Sequence, residues 1–289
     1  MAVQLPHTPD AVKWYHRAAS TPLKALSAVN LGPLGGENSI SAVIEAVLAH
    51  KKGEPVTFEM SKSDQFFTQQ FTKQDPPDEM IEYRELSHLV QNELLKRWGK
   101  KRLGIIWIGA GVFTLEHPLL AEGRQENWHV WTDALPRVVE SALSKFDKLQ
   151  ENQKIGKLSQ NIKLPQDIEE LNKAIAFVAP NVDHLVIYGY GVTYALMMEE
   201  NYRWLSQLIL PSGQEVSFVF NGPGKTIPFF PALMAAFHNQ RMVYYTLADI
   251  EALFQAAVPG SEVVWHKPRS ETRNKMWETW LIVSKANTR

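Results

Sequence analysis

The spacing of apolar positions changes period repeatedly along this chain, and each change marks an element. From Met80 to Trp98 the apolar residues Leu86, Leu89, Val90, Leu94 and Leu95 recur at steps of three and four, which predicts a long amphipathic helix. Gly104 to Ile108 is an unbroken apolar run. The glycines at 109 and 111 decide that it is a buried strand, because two glycines one residue apart break a helix. Leu115 to Glu122 has helical spacing, with Pro118 in the first turn. His129 to Thr132 reads as a second strand ending at Asp133, and Leu135 to Lys148 as a helix with Val138, Val139, Ala142, Leu143 and Phe146 on its apolar face. The alternation continues through a strand at Ser159 to Leu164, a helix at Asp167 to Phe177 capped by Asp167, and a strand at Asp183 to Tyr188. A helix from Glu199 to Leu210 stops at Pro211, a strand follows at Glu215 to Phe220, and helices are expected at Phe229 to Asn239 and Ala248 to Ala257. Glu262 to His266 and Trp277 to Ser284 close the chain as two strands. Strand–helix alternation predicts an α/β fold, a mostly parallel sheet with helices on both faces. Two closing strands with no long helix between them pair locally or through an antiparallel insertion.

Residues 1–102 read as a helical N-terminal extension and 103–289 as a Rossmann-like domain. In the extension, Asp10 to Ala19 is a short helix, 31–39 is turn-rich, and Ser39 or Ser41 caps a helix running to His50. Glu54 to Met60 is extended. Phe66, Phe67 and Phe71 then share one helical face between Lys62 and Phe71. Such a face packs on the core or forms a lid over a ligand. Composition narrows the picture further. Hydrophobic residues make up 45% and charged residues 21%, the balance of a soluble protein. No stretch approaches the roughly 20 apolar residues of a membrane span, and the first residues lack an apolar signal core. The absence of cysteine excludes disulfides, thiolate metal sites and cysteine nucleophiles, and a cytoplasmic protein is expected. No histidine pair has a metal-binding spacing such as HExxH, so no metal is expected. A net charge of −1 offers nothing to nucleic acid. The cations Lys96, Arg97, Lys100, Lys101 and Arg102 are explained by their place at a helix C-terminus.

Candidate chemistry converges on the first two strands. Gly109 and Gly111 let a ligand approach the backbone, and the helix that follows turns its free N–H groups to the same place. Asp133, 24 residues after Gly109 (133 minus 109), ends the next strand, where a carboxylate accepts hydrogen bonds from both hydroxyls of a ribose. Glycine turn plus distant acid is an adenosine signal, shared by dinucleotide enzymes and by methyltransferases. A dinucleotide fingerprint requires a third glycine, and Thr114 stands there. Gly222 to Thr226 has the end of a phosphate loop, but Val219 occupies the place of its first glycine. His238 and His266 lie in the half of the chain that should cover a pocket, and packing is the simpler reading of each.

IGAGVFTL (108–115), TDALP (132–136) and YGYGVTYAL (188–196), with the two closing strands, resemble the class I S-adenosylmethionine-dependent methyltransferase superfamily over roughly residues 103–285. The closest look is to the leucine carboxyl methyltransferase-like group, and TDALPRVVESAL is also similar to a segment of small-molecule O-methyltransferases. The resemblance implies a seven-stranded sheet whose last strand is antiparallel. It also implies S-adenosylmethionine as cofactor and in-line methyl transfer to the oxygen or nitrogen of a small molecule. Gly109, Ala110 and Gly111 would then line the methionine part, Asp133 the ribose, and Ala134 and Leu135 the adenine. Asp167 would meet the adenine amino group or cap its helix. Tyr188 and Gly189 would border the cofactor, and Tyr190 and Tyr194 would be the catalytic candidates on the acceptor side. Arg84 on the long helix either meets the cofactor carboxylate or, more simply, forms a surface ion pair. The sequence departs from the group at Phe113, Leu115 and Tyr190, and Trp107 stands where many methyltransferases carry an acid. Two other readings therefore stay open: a nicotinamide-dependent oxidoreductase, and a non-catalytic binding protein that keeps the fold.

Overall fold

In the computed structural model the described residues are 10–11, 78–109, 119, 126–134, 136, 138–140, 143, 156–192, 196, 198–223, 243–267 and 277–284. The elements in order are β1 (Asp10–Ala11), α1 (Asp78–Trp98), β2 (Leu103–Ile108), β3 (Trp128–Asp133), β4 (Gly156–Asn161), α2 (Ile168–Val178), β5 (His184–Tyr188), α3 (Met198–Ser206), β6 (Val216–Pro223), β7 (Val243–Tyr244), α4 (Leu247–Ala257), β8 (Ser261–Lys267) and β9 (Trp277–Ser284). A 3₁₀ turn at Ala179–Asn181 joins α2 to β5. Leu119, and Pro136, Val138 to Glu140 and Leu143, are helical, as their apolar spacing predicted.

Seven strands form one sheet in the order β4-β3-β2-β5-β6-β9-β8. The pairs from β4 to β6 are parallel, and β9 is antiparallel to both β6 and β8. The closing strands thus realise the antiparallel insertion. Burial explains the unbroken apolar run of β2, because a strand covered on both faces has no polar side. Leu103, Ile105 and Trp107 pack with Leu86, Val90, Leu94 and Trp98 of α1. Ile106 and Ile108 face the opposite layer, built from α2, α3 and α4 through residues such as Leu171, Trp204 and Phe254. Full burial of one such aliphatic side chain is worth about 1.5–3 kcal/mol. Among the described residues no helix is long and apolar enough to cross a membrane.

Several boundaries differ from expectation. Asp10 and Ala11 begin a predicted helix but are extended, because they pair antiparallel with Tyr244 and Val243. β4 lies three residues earlier than the predicted strand, and the chain leaves it at a turn over Leu164 to Asp167. α3 ends at Ser206 rather than Leu210. Asn172 of α2 captures the following segment, accepting from Ile209 N–H at 2.9 Å and donating to Gln207 O at 3.0 Å. β6 runs on through Gly222 and Pro223, held against Glu278 and Trp277 of β9. α4 begins in a reciprocal cap between Thr246 and Asp249 that was not anticipated. The expected elements between 31 and 71, and at 229–239, lie outside the described residues.

Candidate active site at the carboxyl edge of the sheet

The chain runs β2, β3, β4 outward on one side, then returns to place β5 on the other side of β2. Loops leaving β2 and β5 therefore diverge, and open α/β sheets bind ligands at the carboxyl ends of such a pair. Gly109 directly follows β2 and has φ +65, in the region that favours glycine. A methyl group added there would collide with Val192 Cγ2. Among the described residues such a methyl group would thus meet the turn after β5, in which Val192 N–H donates to Gly189 O at 3.3 Å.

Ile108 is paired with Thr132, so Gly109 and Asp133 stand one residue beyond that pair on adjacent parallel strands. Neighbouring strands lie roughly 5 Å apart, which puts the glycine and the carboxylate at one level of the edge. Asp133 and Ala134 are half-buried. The Asp133 carbonyl accepts from Ile162 N–H at 2.8 Å, fixing the end of β3 against the end of β4. Thr132 Oγ1 donates to Trp107 O at 2.9 Å and ties β3 to β2 just below.

The remaining candidates divide. Asp167 precedes α2 but makes no capping bond from its side chain. Its Oδ2 accepts instead from Lys163 N–H at 2.8 Å, closing the turn before the helix. Tyr188 is buried, and its hydroxyl bonds Ser87 Oγ at 2.8 Å and Gln91 Nε2 at 3.0 Å on α1. Burial raises its pKa above the ordinary phenol value, with the bonds to Ser87 and Gln91 opposing in part. Gln91 Oε1 also accepts from Leu119 N–H at 3.2 Å, so one amide joins α1, β5 and the segment after the glycine turn. Gly189 N–H donates to Val219 O at 2.9 Å. Tyr190 is buried, and its hydroxyl accepts from Thr279 Oγ1 at 3.4 Å. Arg84 is half-buried on α1. Ala110, Gly111, Leu135 and Tyr194 lie outside the described residues.

Trp107 sits in the core on the α1 side. Its ring stacks on Trp131 at 5.2 Å, and its Nε1 donates to His129 Nδ1 at 3.1 Å. Burial lowers the His129 pKa to about 3, so that imidazole is neutral and serves as an acceptor. Sequence reasoning missed Asn221. Its side chain is 2% exposed near the end of β6, and its Oδ1 accepts from Gly191 N–H at 2.6 Å.

The strand order, the antiparallel β9 and a glycine turn at the point where the order reverses are the fold of class I S-adenosylmethionine-dependent methyltransferases. A dinucleotide-binding sheet runs 3-2-1-4-5-6 without such an insertion. Solved structures agree. A methyltransferase from Thermobifida fusca, so described only provisionally, is similar at TM-score 0.55 and 16% identity, over 89% of this chain and 100% of that one. Magnesium protoporphyrin IX methyltransferase from Synechocystis, solved with bound SAH, is similar at TM-score 0.50 and 13% identity, over 78% and 95%. No family model matches the chain, and no curated protein matches it by sequence.

Proposed function

We propose that this chain is an S-adenosylmethionine-dependent methyltransferase acting on a small molecule. The observation that carries the reading is the level pairing of Gly109 and Asp133 at the reversal point of this strand order. A bound S-adenosylmethionine supplies a methyl group for in-line transfer to an oxygen or nitrogen nucleophile, and the chain contributes proximity and orientation. In this reading Gly109, Ala110 and Gly111 hold the methionine end, and Asp133 accepts from both ribose hydroxyls. Ala134 and Leu135 flank the adenine, and Asp167 acts on that side by holding the turn before α2. Tyr188 and Gly189 border the cofactor through their backbone, since the Tyr188 hydroxyl is engaged on α1. Arg84 serves the cofactor carboxylate. Tyr190 and Tyr194 stand on the acceptor side. A general base is required only for a protonated acceptor such as a phenol or an amine.

Calorimetry with S-adenosylmethionine and S-adenosylhomocysteine tests the proposal. Binding of both is expected, and no heat from either at millimolar concentration overturns it. The nicotinamide reading needs NADH to quench the tryptophans, and it is finished if only S-adenosylhomocysteine binds. Methyl transfer to an extracted metabolite excludes the non-catalytic reading.

A further inference from the structure

We propose that Asn221 is a two-sided residue that holds the β5 turn with one end of its amide and orients the methyl acceptor with the other. The inference rests on the methyltransferase reading and deepens it on the acceptor side. Asn221 lies near the carboxyl end of β6, paired with Thr279 of β9. Gly191 N–H is a donor, so the amide must turn its oxygen towards it, and Oδ1 accepts that bond at 2.6 Å. The rotamer is thereby fixed, and Nδ2 lies on the opposite side of the amide. That nitrogen is buried and has no hydrogen-bond partner among the described residues.

A buried donor without an acceptor is unfavourable, and such groups in a native fold call for an explanation. Here the surroundings supply one. Tyr190 and Thr279, joined through their hydroxyls, stand beside Asn221 on the α1 side of the sheet. Trp277 and Tyr190 belong to the same apolar cluster. A fixed N–H donor beside aromatic walls suits a molecule that presents an oxygen lone pair on a flat ring, and a preorganised donor orients it without reorganising on binding. The other end of the amide reaches the cofactor side. Gly191 leads into Val192, which rests on Gly109, so Asn221 links the acceptor edge to the glycine turn.

The test uses the full chain, with benzoate as the oxygen-bearing probe and benzylammonium, which has no lone pair to offer, as its control. In ¹⁵N-edited spectra benzoate is expected to shift the Asn221 side-chain NH₂ resonance, and benzylammonium to leave it in place. Asn221→Asp at about pH 8 is ionised, so it keeps an acceptor for Gly191 and loses the donor. It should retain wild-type affinity for S-adenosylhomocysteine within about twofold and bind benzoate at least ~10-fold more weakly. Asn221→Ala loses both ends and should weaken both ligands. An Asn221 resonance that ignores benzoate overturns the proposal, and needs no variant to fold. Equal benzoate affinity in wild type and Asn221→Asp overturns it as well. Failure of S-adenosylhomocysteine to bind the wild type, with the benzoate shift intact, removes the methyltransferase reading and leaves the donor site standing.

Discussion

The two edges of the central sheet are built differently. At the amino edge several polar groups meet one another, although His184 Nδ1 and Ser261 Oγ are buried there without a partner among the described residues. Asn127 Oδ1 accepts from Leu103 N–H at 2.9 Å, and Arg102 pairs with Asp183 at 2.8 Å. His184 stacks on Trp98 at 4.2 Å and meets Ser217 Oγ at 2.7 Å. At the carboxyl edge the chain supplies a left-handed glycine, a half-buried carboxylate and a buried amide with a donor to offer. On the proposed function, the first edge closes the sheet and the second receives the cofactor and the acceptor.

The harshest break of this comparison is Gly109→Ala. The new methyl group meets Val192 Cγ2 at a φ that L residues rarely adopt. Overpacking and backbone strain together should lower stability by about 3–5 kcal/mol. S-adenosylhomocysteine affinity should fall by more than ~100-fold in the protein that still folds, since the turn must move. Pairing the change with Val192→Ala should recover part of the stability, leaving the φ penalty. Denaturant titration and calorimetry measure both. No recovery would show that the Val192 contact is incidental.

Acid should act next, on the core and the amino edge. Burial lowers the pKa of His129 and of His184 to about 3. The unfolded chain protonates near pH 6.5 while the folded chain stays neutral, so it binds more protons as pH falls. Stability is therefore complete above about pH 6.5 and declines between 6.5 and 3. From pH 7 to pH 5 each histidine should account for a loss of about 2 kcal/mol. Denaturant midpoints at the two pH values should show it, with the loss roughly halved in His184→Gln. An unchanged midpoint would mean that these imidazoles gain protons without unfolding.

Much of this architecture is legible in the sequence, for identifiable reasons. β9 begins and ends where expected, because Trp277 to Ser284 is buried on both faces. β4 was misplaced because Gly156 to Asn161 carries a single apolar side chain, Leu158, in an edge strand. The end of α3 depends on Asn172, 37 residues before Ile209, and no local rule reads such a partner. Gly109 and Asp133 announce themselves by type and spacing. Asn221 does not: before glycine and proline it reads as a turn residue, and only the bond to Gly191, 30 residues away, gives it meaning.

Asp133→Ala sharpens the comparison on the receiving side. Two charge-assisted bonds to ribose hydroxyls are worth roughly 1.5–3 kcal/mol each where well formed. Cofactor affinity should fall by ~10-fold to ~100-fold or more. Folding should survive, because the side chain is half-buried at a strand end. Equal affinity in wild type and a folded Asp133→Ala protein would remove the ribose role.

The smallest effect is expected from Asp183→Asn, at the closed edge. Asp183 accepts from Arg102 Nη2 at 2.8 Å, from Nε at 3.2 Å and from its backbone N–H at 2.9 Å. These bonds hold its pKa at about 2, below the ordinary carboxylate value of 3.8, the side-chain bond being the largest cause. Its stabilisation is present above the ordinary value and lost as pH falls through about 2. Solvent reaches both partners, and exposed ion pairs contribute little. Asp183→Asn should therefore shift the denaturant midpoint only slightly at neutral pH. S-adenosylhomocysteine affinity should stay within about twofold, since the residue stands at the edge opposite Gly109 and its bonds tie the start of β5 to the start of β2. A loss of affinity comparable to that of Asp133→Ala would mean that the two edges are coupled through the sheet, and the division between a closing edge and a receiving edge would have to be abandoned.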